Sequence, residues 1–218
     1  MLSTDPLLVA RTHGAEDGAA TRRRRVVVAV TLAAGTALLR ATLAVRSGSH
    51  AFGVVGGLLA ATWFVGACLS GPLPWSRRSA TRRRIGGAVV CGVLAYFAFL
   101  AADLVAQRIA VLAHALATLP EPTGLSALTI AIVVVNGITE EMFFRGAVYT
   151  AAGRTRPVIV TTVIYVAVTV ATLNVALVIA AAVMGTVLAL QRRATHGVAV
   201  PIVTHVSWSL LMLCALPR

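Results

Sequence analysis

With 218 residues, 58% of them hydrophobic and only 12% charged, the chain has too few polar side chains to wet the surface of a globule. A mean hydropathy of +0.88 excludes an ordinary soluble domain and fits lipid as the solvent. The net charge of +12 comes without a single lysine, and the arginines fall in short runs between apolar segments. That arrangement suits an anionic leaflet and argues against a nucleic-acid partner.

In chain order, residues 1–21 carry Asp5, Glu16 and Asp17 and read as a disordered tail. Arginines at 22–25 lead straight into the apolar stretch 26–45, which has membrane-spanning length. It outlasts the apolar core of a signal peptide and reads as a retained anchor. Further apolar stretches follow at 52–69, 85–106, 125–152, 158–173, 175–190 and 198–216, the fifth and sixth only just long enough to cross. The expected fold is therefore all-α, a polytopic bundle of about seven transmembrane helices. Segment 107–119 is weakly amphipathic and lies on the outer surface or dips partway in. Three parts follow: the tail 1–21, the N-terminal transmembrane helices 22–124 and a core at 125–218.

The arginines orient the bundle. With the N-terminus cytoplasmic, the inner loops hold Arg77, Arg78, Arg82, Arg83, Arg84, Arg154, Arg156, Arg192 and Arg193. The outer loops hold Arg46 and Arg108, and the C-terminus lies outside. Cys68, Cys91 and Cys214 sit in separate apolar segments without Cys-x-x-Cys spacing, and read as small buried hydrophobes.

Ionisable groups inside the spans each need a reason, since one at the bilayer centre costs about 2.5–3.5 kcal/mol on insertion scales. Arg40 and Asp103 lie near outer helix ends, where snorkelling or solvation accounts for them. Glu140, Glu141 and Arg145 lie well inside the fourth span. Glu141 and Arg145 are i and i+4 neighbours on a helix and can pair, which leaves Glu140 as a second carboxylate without a local cation. An extra carboxylate suggests a metal, a proton or a polar substrate. His205 in the last span lies about as deep as Glu140, some 18–20 Å from the inner helix ends at 1.5 Å per residue, so the two can meet. Ser209 falls on the same face one turn later.

The run Glu140-Glu141-Met142-Phe143-Phe144-Arg145-Gly146, followed by a membrane histidine with a small polar residue four positions on, resembles the CPBP family. These are the CAAX proteases and bacteriocin-processing proteins, also called Abi. The resemblance covers residues 125–216. It implies an intramembrane metallo-endopeptidase with a cavity opening to the cytoplasmic leaflet. Glu140 would activate water or hold the metal, with Glu141 and Arg145 beside it. His205 and Ser209 would fall on a His-x-x-x-Asn motif, with Ser209 departing from Asn. The family's Phe-x-x-x-His motif is met by Tyr165 and Thr169, with Asn174 a further polar candidate. Thr169 and Ser209 are thus assigned to substrate or oxyanion binding, and Glu140 and His205 to a divalent metal, zinc by the family pattern. The implied function is amide hydrolysis of a peptide or protein at the inner leaflet of the cell membrane, with membrane lipid as the other partner. Because Thr169 replaces the histidine, a degenerate CPBP-type protein acting in immunity or partner binding stands as the alternative. A small transporter stands behind it, without the inverted repeats that would support it.

The topology has a direct check. In a cysteine-free background, a membrane-impermeant thiol reagent applied outside should label a cysteine placed at Ser49 and miss one placed at Ser79. The reverse pattern would invert the orientation.

Overall fold

The computed structural model describes residues 6–75, 80–118, 126–153 and 156–215, and among them the chain is helical without a strand. Helix α1 spans Pro6–Ala44, α2 His50–Leu69 and α3 Arg82–Ala106; the short α4 spans Ala110–Ala117. One continuous rod then runs over Ala127–Ala151, composed of α5 (Ala127–Glu141), a π-helical segment (Met142–Val148) and the short α6 (Tyr149–Ala151). Helices α7 (Pro157–Val170), α8 (Val175–Thr195) and α9 (Ala199–Ala215) complete the chain. Five of these are long and apolar enough to cross a membrane: Gly18–Ala44, α2, α3, the Ala127–Ala151 rod and α8.

Two boundaries depart from the sequence expectation. Helix α1 begins at Pro6, where a disordered tail over 1–21 was expected; residues 1–5 lie outside the described residues. Ala10, Arg11, Ala15, Glu16, Ala19 and Ala20 are good helix formers, and a helix nucleated by the adjoining span extends through them at little cost. Helix α8 runs on to Thr195 instead of stopping near residue 190, because Arg192 and Arg193 close its last turn, where cations complement the helix dipole. The amphipathic segment forms α4, which packs on α3 and α8.

Packing runs as a chain of neighbours: α1 on α2, α2 on α5, α5 on α9, and α9 on both α3 and α8, with α7 hairpinned on α8. The surface is that of a lipid-solvated body. Val30, Leu94, Leu104 and Val111 are each more than 60% exposed, whereas Glu141 and Arg145 are fully buried. Cys68 and Cys214 are also exposed, contrary to the buried reading; among apolar neighbours facing lipid, a thiol gains nothing by being hidden. Arg40 donates to the Ala171 carbonyl at 2.9 Å, and Asp103 accepts from Gln107 one turn away at 2.6 Å.

In lipid, close helix approach depends on small residues. At Gly92 of α3, a Cβ would sit 2.8 Å from Ser207 Cβ and 2.9 Å from the Thr204 carbonyl oxygen of α9. Thr204 completes the contact by donating to the Ala88 carbonyl at 3.0 Å. Gly92→Val should therefore destabilise the protein by about 1–3 kcal/mol, the usual cost of overpacking. Gly86→Val, on the open face of the same helix, should be neutral. Thermal unfolding of the two variants in detergent measures the difference.

Candidate functional site

The buried core leads to the site. Trp63 of α2 is 1% exposed and stacks on Phe143 at 4.9 Å between ring centroids, Phe143 meets Phe144 edge-on at 5.3 Å, and Phe144 meets Tyr165 of α7 at 4.8 Å. All seven residues of the π-helical segment are buried. A π segment widens the helix and weakens its own ladder, and here side chains from neighbouring helices bond its carbonyls. Thr161 of α7 donates to the Phe144 oxygen at 2.9 Å, and Arg192 of α8 donates through Nε to the Arg145 oxygen at 2.9 Å. Arg192 is itself held over the Tyr149 ring at 4.9 Å. Gly146 leaves room for Leu73, from the segment after α2.

On this frame the expected pair forms. Arg145 Nη1 meets Glu141 Oε1 at 2.9 Å, and Arg145 Nη2 donates to the Gly185 carbonyl of α8 at 3.2 Å. His205 of α9 joins them, its Nδ1 also 2.9 Å from Glu141 Oε1. An ionised Glu141 only accepts, so His205 carries its proton on Nδ1 and turns Nε2 away from the pair. Helix α9 packs close to α5 here: a Cβ at Gly137 would lie in ordinary contact with Val206 and the His205 ring. Here the structure corrects the sequence reading, which joined His205 to Glu140. Equal depth fixed the height of the histidine but not which side of α5 it meets.

Glu140 stands apart. It is half-buried, its Oε2 accepts from the Tyr165 hydroxyl at 3.2 Å, and it makes no ion pair among the described residues. It nevertheless lies within electrostatic reach of His205, Glu141 and Arg145. The arrangement thus pairs one reachable carboxylate, suited to proton transfer, with an imidazole oriented by a buried Glu–Arg pair.

The remaining expected residues fare differently. Thr169 is buried and donates to the Tyr165 carbonyl of its own helix at 2.9 Å. Ser209 is half-buried one turn beyond His205. Asn174 caps α8 and donates to the Ala115 carbonyl and to Thr118, tying α4 down far from the site. In the sequence Tyr165 reads only as a stand-in for Phe and Arg192 only as an inner-loop charge; an aromatic in an apolar run and an arginine in a basic run carry no signal of these contacts. As for a metal, no three His, Cys, Asp or Glu side chains converge as a ligand set among the described residues. Glu141 Oε1 is committed to Arg145 and His205, and the adjacent guanidinium opposes a cation. The donor set does not fit a hydrolytic zinc, which takes three protein ligands.

The site residues Glu140, Glu141, Arg145, Tyr165 and His205 all fall within one matched segment. Residues 122–211 match the Rce1-like family, described as type II CAAX prenyl endopeptidase Rce1-like. The resemblance carried by Glu140-Glu141 and Arg145 is thereby borne out over the C-terminal segment. No curated protein and no solved structure matches the chain.

Within the matched segment the Glu141–Arg145 pair is open to test. Arg145→Leu leaves a fully buried carboxylate without its cation, and breaking such a pair costs about 3–5 kcal/mol. The yield of monodisperse protein should fall sharply, and adding Glu141→Gln should recover part of it. An unaffected single variant would mean that the pair contributes nothing.

Proposed function

We propose that the protein is an intramembrane endopeptidase of the CAAX type, cleaving an amide bond in a peptide or protein presented at the cytoplasmic leaflet of the cell membrane. One observation carries the reading: Glu140, a half-buried carboxylate that makes no ion pair among the described residues, lies within electrostatic reach of a histidine bonded to the Glu141–Arg145 pair. The family match supports the reaction class.

In this reading Glu140 takes a proton from water as the water oxygen attacks the amide carbonyl, and then passes that proton to the leaving nitrogen. His205, with Nδ1 bound to Glu141, presents Nε2 and when protonated there donates to the developing oxyanion. Ser209 offers a hydroxyl on the same helix face. A divalent metal would find Glu140 and His205 as its donors, short of the three protein ligands of a hydrolytic zinc site. The second reading, a CPBP-type protein that binds without cleaving, is favoured by Thr169, whose hydroxyl is engaged by its own helix where the family pattern has histidine.

The test uses purified protein in nanodiscs and a quenched-fluorescence prenylated peptide ending in a CAAX sequence. The wild type should cleave it. Glu140→Gln keeps size and hydrogen bonding but cannot take the proton, and should lose about 10²–10⁴-fold in rate with unchanged folded yield. Binding without cleavage by the wild type would select the second reading.

A further inference from the structure

The side chain that meets Glu140 is Tyr165, and Tyr165 is unusually constrained. Its ring lies under the Arg145 guanidinium, 4.9 Å from centroid to Cζ, and against Phe144 at 4.8 Å. Its Cδ1 faces Gly185, where a Cβ would come within 3.1 Å, so α8 closes the other side. Its backbone carbonyl takes the Thr169 hydroxyl at 2.9 Å. With the ring fixed by two helices and a cation, the phenolic oxygen has a defined position. It stands 3.2 Å from Glu140 Oε2, and Glu140 has no other hydrogen-bond partner among the described residues.

A glutamate reaches its carboxylate through three rotatable bonds. Without a donor it would sample several rotamers, and a base that wanders is seldom within reach of the proton it must take. The phenol O–H supplies a charge-assisted donor to one oxygen and leaves the second free. We propose that Tyr165 is the positioning residue of Glu140: it donates to Oε2, holds the carboxylate in one orientation and leaves Oε1 to face water. It does so from the helix on which Thr169 stands where the resemblance expects histidine. The same phenol also joins the lone carboxylate to the Glu141–Arg145–His205 cluster, since Arg145 rests on its ring. The catalytic consequence rests on the hydrolase reading above; the contact itself does not.

Two measurements separate them. Tyr165→Phe removes one oxygen and keeps the ring that Arg145 and Phe144 pack on. In an active enzyme it should lower kcat about ten- to hundredfold, the effect of one hydrogen bond to a charged group, with KM unchanged. The contact is tested without activity by a thermal cycle. Tyr165→Phe should lower the unfolding temperature in the presence of Glu140, and have little effect in a Glu140→Leu background, where no acceptor remains. Equal shifts in both backgrounds would overturn the proposal, as would an unchanged kcat or an effect confined to KM. A wild type that cleaves nothing sinks the hydrolase reading, and the thermal cycle then still decides whether Tyr165 holds Glu140.

Discussion

A single oxygen organises this membrane protein. Glu141 Oε1 lies 2.9 Å from both Arg145 Nη1 and His205 Nδ1, inside a region where none of the three would be tolerated alone. The bond ties the central rod to α9, and Arg145 carries the connection on to the Gly185 carbonyl of α8. Three helices are therefore registered against one another by a charge that lipid would otherwise reject. Such a pair gives little net stability compared with apolar packing, but it severely penalises any slip that separates its members.

The small residues around it follow from the same requirement. Gly92 lets α9 approach α3, Gly185 lets α7 approach, and Gly146 accepts Leu73. Between helices there is no hydrophobic driving force in a bilayer, so contact depends on surfaces that fit closely and on hydrogen bonds that water cannot replace. The aromatic series from Trp63 through Phe143 and Phe144 to Tyr165 supplies the shape, and the polar cluster supplies the register.

Much of this was legible in the sequence, and the boundary is physical. Periodicity and arginine placement describe how a chain partitions into lipid, so the apolar spans were readable. The Glu141–Arg145 pair was readable because i and i+4 positions meet on any helix. His205 was brought to the site by its depth alone, a one-dimensional measure, and the measure failed where direction mattered: the histidine bonds Glu141 and not Glu140. The π-helical segment was invisible because it depends on Thr161 and Arg192, donors from other helices, to bond its carbonyls. Tyr165 was hidden for a related reason. Its hydroxyl acquires meaning only when α7 is laid beside the central rod.

Helix α7 runs only from Pro157 to Val170, 14 residues or about 21 Å, against a hydrocarbon core of about 30 Å. A bilayer meeting so short an element thins beside it, or draws headgroups down along it. Tyr165 lies eight residues from Pro157, about 12 Å along the axis. A polar boundary drawn down along α7 would come close to Tyr165, the partner of Glu140, and on the hydrolase reading proposed above it would give water a route to the site. On that reading, brevity in one helix would do the work of a channel, shortening the distance water must travel without opening the bundle.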